Sequence, residues 1–367
     1  MSNNYESWDN KTLNYDLEKY NFRDWALRTI QEVAPTVTEL ETMHKSLSTS
    51  DLLQAQKHVQ NACSRKEFME MFDDFANKYV PPMIGNKKFM VQRQGTLRCV
   101  VPNQTAEGRR LTFHQGIWVG NGRGLRTIWT PLTECYGSNT MQIMDLESSR
   151  KLTAKVLKEE LSLEEFEELS IEQCFPVTLS PGQSHLFCQE HIHGNVNNDT
   201  DITRVSIDMR ILIEGEEYHR KLPGGYFRLP GDHSAAEEMD YTGKQVITYA
   251  NWNTEFSKGI PLPMQRAVID QYCAKHKISY VDYKGENEYC NWLPSLKTYI
   301  REKPDAIVLT SIFILPDKKE WRDEILNYAL DNGVELHFAN EYLTLCQRSD
   351  LEKIQSIREF AVQSKND

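Results

Sequence analysis

The chain has 367 residues, enough for two domains with cores of their own, and its 40% hydrophobic and 26% charged residues describe a soluble globular protein. A formal net charge of -11 excludes broad binding to a nucleic-acid backbone, which needs clustered Lys and Arg, but leaves room for a small anion in a local basic pocket. The opening MSNNYESWDNK lacks the basic and apolar regions of a signal peptide, no stretch has the length of a membrane span, and the eight cysteines contain no C-x-x-C pair, so reduced thiols in a cytoplasmic protein are expected rather than a zinc ribbon.

Residues 1–85 read as a helical layer. Trp25, Leu27, Ile30 and Val33, then Phe68, Met71, Phe72 and Phe75, recur at mixed spacing, mainly of three and four residues, until Pro81-Pro82 ends the pattern. Over 86–214 the texture changes to short strands, at 95–101, 111–118, 125–131, 140–145, 184–190 and 203–213, separated by Gly, Asn and Pro. Many short strands without alternating helices predict a sandwich or jelly roll; a Glu- and Lys-rich helical insert at 148–172 interrupts it. Residues 215–244 are rich in Gly, Pro, Asp and Glu and read as a linker. From 245 to 367, strands at 245–250, 278–283, 306–315 and 334–338 alternate with helices at 263–276, 291–302, 318–332 and 350–362. That order predicts an α/β domain with a parallel sheet.

Two of the ten histidines stand in telling contexts, His114 in FHQGIWVGNG and His193 in EHIHGNVNN. Alternate residues of a strand share a face, so His114, Gly116 and Trp118 are expected to point one way. Downstream of His193, Arg204, Ser206, Asp208 and Arg210 share one face, and Val205, Ile207, Met209 and Ile211 the other. A strand with one polar and one apolar face suits the wall of a pocket.

The segments FHQGIWVGN, LRTIWTPLTECYGSNTMQIM and LFCQEHIHGNVNNDTDITRVSIDMR resemble the iron(II)/2-oxoglutarate oxygenases, in the phytanoyl-CoA dioxygenase-like branch. Within it they are similar to oxygenases of sporadically distributed surface-carbohydrate gene clusters. The resemblance implies a double-stranded β-helix (jelly roll) that binds Fe(2+) through His114 and His193. It implies 2-oxoglutarate on Arg204 and Ser206, with O2 as the second co-substrate. The implied reaction is oxidation, in the form of hydroxylation, of a C–H bond in a sugar or nucleotide-sugar intermediate. The implied partner is a small carbohydrate-derived molecule, with no nucleic acid and no membrane; a homo-oligomer stays open.

One position departs from the family pattern. The carboxylate ligand belongs at 116, and Gly116 leaves that position vacant. Three readings stay open: an oxygenase with water or another side chain there, a halogenase-type variant with a bound halide there, and a non-catalytic jelly-roll module that binds sugar. His191 competes with His193 as a ligand, and Asp208 is expected to pair with Arg210. Trp118, Asn121, Arg123 and Arg126 lie where a substrate or anion pocket would form, although Asn121-Gly122 and Gly124 also suit a plain hairpin turn. His185 and Cys188 read as structural.

Residues 245–345 resemble an α/β domain of the same carbohydrate clusters. The stretch ANWNTEFSKG after the first strand has no serine directly behind the strand, which excludes serine-recombinase chemistry, and it has no Gly-rich phosphate fingerprint. Strand ends at 251–254, 283–287 and 315–318 are the generic ligand location in such a sheet, with docking or dimerisation as the alternative role.

Overall fold

The computed structural model describes residues 10–103, 113–119, 121–158, 160–218, 221, 223–233, 239–250, 260–280, 283–286 and 293–363. The chain divides into two compact units. One is Met1–Leu222 with Leu229–Gly231 and Gln363–Asp367; the other is Pro223–Arg228 with Asp232–Val362.

The first unit begins with a strand, β1 (Lys11–Asn14), followed by α1 (Phe22–Gln31), α2 (Met43–Ser46), α3 (Thr49–Ala62) and α4 (Lys66–Tyr79). Capping sets the helix starts: Asn21 and Ser48 accept from the backbone N–H groups of Asp24 and Asp51. The helices bury an aromatic cluster in which Trp25 and Phe68 lie 4.4 Å apart and Phe22 meets Phe75 edge-on at 5.4 Å. β1 is a correction to an all-helical reading of this region. It is four residues long with Leu13 as its one apolar residue, and only its remote partner identifies it.

The strands that follow are β2 (Phe89–Gln92), β3 (Thr96–Val100), β4 (Phe113–His114), β5 (Leu125–Pro131), β6 (Gln142–Ile143), β7 (Phe175–Pro176), β8 (Gln183–Cys188), β9 (His193–Gly194) and β10 (Arg204–Ile213). They form two antiparallel sheets. In the larger, the order runs β1-β8-β5-β10-β2, and β3 also pairs with β10. In the smaller it runs β4-β9-β6-β7. The insert is two helices rather than one, α5 (Leu146–Leu157) and α6 (Leu163–Gln173). Ser162 and Glu165 form a reciprocal capping box that starts the second.

β10 is the central strand of the larger sheet, with β5 on one side and β3 then β2 on the other. Val205, Ile207, Met209 and Ile211 join the same apolar core as the aromatic helix cluster. That core pins the strand's register, because a one-residue slip would bury Arg204, Asp208 and Arg210 in it.

The second unit contains β11 (Phe227–Arg228), β12 (Val246–Tyr249), α7 (Leu262–Lys275), β13 (Tyr283–Lys284), α8 (Pro294–Arg301), β14 (Ala306–Leu309), α9 (Lys319–Asp331), β15 (Glu335–Phe338), β16 (Leu343–Leu345) and α10 (Asp350–Gln363). Its sheet runs β13-β12-β14-β15-β16 and is parallel except for β16. Four residues separate β15 from β16, too few for a crossover, so that pair is a hairpin and must be antiparallel. The apolar run at 306–315 ends as a strand at Leu309 and continues as a 3-10 turn over Ile312–Ile314. There the Ser311 hydroxyl accepts from the Phe313 N–H.

Candidate active site

A cavity of about 390 Å³ lies within the first unit, in the size range of small-molecule sites. Strands of both sheets line it. β4 and β9 present His114 and His193, β10 presents Arg204, Asp208 and Arg210, and β3 presents Arg98. His114 and His193 are direct cross-strand partners, with ring centroids 4.6 Å apart.

Both imidazoles are held neutral. Burial pushes the His193 pKa down to about 3, with His114 acting in the same direction. Burial also lowers that of His114, followed by the positive charges of Arg98 and Arg210. The Nδ1–H of His193 donates to the His191 carbonyl at 2.9 Å. A carbonyl only accepts, so the proton of neutral His193 sits on Nδ1 and the Nε2 lone pair is left over. That tautomer is the one a metal-ligating histidine needs.

Arg204 is 2% exposed. Nε donates to the Asn139 carbonyl at 3.2 Å, Nη1 to Ser206 Oγ at 2.8 Å and Nη2 to Asn195 Oδ1, while the guanidinium lies 5.7 Å from the Trp129 ring. All three acceptors are neutral. A buried cation satisfied only by dipoles favours an anion brought into its cavity. Ser206 Oγ also accepts from Trp129 Nε1 at 3.0 Å, so one hydroxyl orients both groups.

Among the described residues the cavity carries three guanidinium groups and one carboxylate, in a protein whose total charge is negative. Asp208 pairs with Arg98 at 3.2 Å, not with Arg210; Arg210 instead donates to Gln92 Oε1. Arg210 and Asp208 both follow the alternation of β10, but Arg98 arrives from the neighbouring strand, where Ser206 stands opposite it.

Gly116 and Asn121 line this cavity as well, together with Gln189. Strand geometry ends at His114, however, and 116–119 form a 3-10 turn. Successive residues of that turn rotate by about 120° instead of 180°, so Trp118 does not follow His114. Trp118 instead contacts Phe166 at 5.3 Å and lines a second cavity of about 520 Å³ with Arg123 and Arg150. Arg126 lines neither cavity; it is fully buried and donates to the carbonyls of Arg123 and Leu125. His191 is buried with Nδ1 on the Met144 carbonyl and does not line the first cavity.

Gly122 and Gly124 serve close packing rather than a left-handed turn, since neither has a positive φ. A Cβ at Gly122 would stand 2.4 Å from the Glu217 carbonyl oxygen and from Tyr218 Cα. At Gly124 it would stand 2.6 Å from the Glu217 nitrogen.

Among the described residues no group of three or more His, Cys, Asp and Glu could hold a metal ion. With Asp208 paired to Arg98, the donors left in the cavity are two neutral imidazoles plus oxygens of neutral side chains. It fits a divalent ion that arrives with an anionic chelator, since Arg204 stands ready for the chelator's charge. Gln189, Asn195, Arg98 and Arg210 were not marked as site residues by the sequence pattern. The alternation of β10 extended to Arg210 and supplied the only advance signal for any of them.

In the second unit, Asn251–Thr254 and Asn287 lie outside the described residues. Two buried carboxylates near the strand ends serve the fold. Glu286 accepts from the first N–H groups of α8 and from the Tyr249 hydroxyl, and Glu341 accepts from the Ser311 hydroxyl and the Ile312 N–H.

No family model and no curated protein matches the chain. Solved structures similar to it include a non-heme monooxygenase, the ThoJ–Ni complex, at 13% identity and a TM-score of 0.34, covering 58% of this chain and 81% of that one. EctD from S. alaskensis with 2-oxoglutarate and 5-hydroxyectoine is 13% identical, with a TM-score of 0.34 over 59% and 76% of the two chains. The non-heme alpha-ketoglutarate-dependent epimerase SnoN from nogalamycin biosynthesis is 10% identical, with a TM-score of 0.33 over 59% and 82%. Likeness at this level decides nothing about the chemistry of this chain. Among the described residues no helix is long and apolar enough to cross a membrane.

Proposed function

We propose that the first unit is an iron(II)- and 2-oxoglutarate-dependent oxygenase built as a double-stranded β-helix. One observation carries this. A neutral imidazole pair in cross-strand register and a buried arginine with only neutral partners line the same cavity. His114 and His193 would hold the metal, and Arg204, oriented by Ser206 and Asn195, would take the far carboxylate of 2-oxoglutarate as a planar fork. Iron and 2-oxoglutarate, when bound, supply the activation of O2. The chain's own residues keep the imidazoles unprotonated and balance the charge of the diacid.

The substrate we infer is a small carbohydrate-derived molecule of the sugar or nucleotide-sugar type, oxidised at a C–H bond. Arg98 and Arg210 beside the imidazoles favour one that carries an acidic group. A halide beside Gly116 would face the lone pairs of Gln189 Oε1, which stands 2.0 Å from the place of a Cβ there, and this speaks for oxidation over halogenation. The seven described cysteines are thiols outside any disulfide, in keeping with the reducing, cytoplasmic setting we infer.

The test is addition of 2-oxoglutarate to protein and Fe(2+) without oxygen. A visible charge-transfer band that disappears in His193→Ala supports the assignment. Absence of any band in the unmodified protein favours a non-catalytic sugar-binding module.

A further inference from the structure

The family's carboxylate is missing at 116, and the room its side chain would need is already taken. A Cβ built on Gly116 would lie 2.0 Å from Gln189 Oε1, 3.0 Å from Gln189 Cδ and 2.9 Å from Asn121 Nδ2. Gln189 is 1% exposed and lines the cavity with both histidines.

The orientation of this amide follows from its neighbours. The Lys221 ammonium has only hydrogens to offer, and it donates to Asn121 Oδ1. That leaves Asn121 Nδ2 to donate to Gln189, at 2.6 Å, so the Gln189 atom on that side is the oxygen. Gln189 Nε2 in turn donates to Thr127 Oγ1 at 2.9 Å. The chain of donors therefore ends by fixing a carboxamide oxygen, with a second lone pair, in the place of the absent side chain.

We propose that Gln189 Oε1 is the third protein donor to the metal held by His114 and His193, replacing the family's carboxylate with a neutral oxygen. This rests on the metal assignment made above. Glycine at 116 then has a reason: any side chain there would displace Gln189. The donor set is uncharged, so a divalent ion keeps its full charge beside Arg98 and Arg210 and binds best together with an anionic chelator.

The test is titration with Co(2+), followed by calorimetry and by the visible d–d spectrum, with and without 2-oxoglutarate. Gln189→Ala is expected to weaken Co(2+) binding at least about tenfold and to shift the d–d band, with apo-protein melting as the control for folding. Gln189→Glu, of the same shape but anionic, is expected to bind more tightly than the unmodified protein and to shift the d–d band. Gly116→Asp alone is expected to gain nothing, whereas Gly116→Asp with Gln189→Ala is expected to recover binding. Equal affinity and an unchanged spectrum in Gln189→Ala would overturn this inference alone. Should that variant fail to fold, an unchanged spectrum and affinity in Gln189→Glu would do the same. Unmodified protein that takes up no Co(2+) would overturn the metal assignment and this inference together.

Discussion

Arg204 meets three neutral acceptors while 2% exposed, so none of its hydrogen bonds goes to an anion. Lysine keeps the charge but loses the fork and the bonds that aim it. Arg204→Lys is therefore expected to weaken 2-oxoglutarate binding by roughly 30-fold or more, corresponding to about 2 kcal/mol, in a calorimetric titration. Ser206→Ala removes the oxygen shared by Arg204 and Trp129 and should cost about 1 kcal/mol in the same titration. Arg204 and Ser206 were legible because a ten-residue strand repeats its alternation often enough to expose a polar face. Gln189 was not, because its role comes from Asn121, 68 positions away, and from the missing side chain at 116.

At the scale of elements, length separates what the pattern conveys from what it hides. β5, β8 and β10 have six or more residues and show in the sequence. β4, β6, β7 and β9 have two each, too short for any period, yet β4 and β9 bring the two histidines together. The break between α5 and α6 was written in the sequence as Ser162 followed by Glu165, a start signal inside an otherwise uniform charged run. The segment before β5 packs its glycines directly on the backbone at 216–218. Backbone cannot swing aside as a side chain can, so Gly122→Ala is expected to destabilise the protein by about 1–3 kcal/mol in chemical denaturation. An unchanged midpoint would show that the 216–218 segment yields.

For the whole molecule, pH reports on buried neutral histidine. His185 is 5% exposed, and burial, with a smaller contribution from His191, lowers its pKa from the ordinary value of 6.5 to about 4. Between these values the unfolded chain binds the proton more readily than the folded one, so stability falls as pH drops from about 6.5 to about 4 and is independent of this group above that window. The expected loss from this residue at pH 5 is about 1–2 kcal/mol. Thermal melting of apo-protein against pH should show the slope, and His185→Asn should reduce it, leaving the part that comes from His193 and His276.

The sequence by itself carried the face of β10 that bears Arg204 and Ser206, the two histidine contexts, and the change from short strands to alternating strands and helices. Each of these is a local repeat or a short motif, and local order is what a one-dimensional pattern records. Only the tertiary structure turned Trp118 away from His114, brought Arg98 to Asp208, and set Gln189 in the space beside Gly116. Those outcomes depend on which distant backbones pack together and on how much room they leave, and no periodicity within one segment encodes that distance.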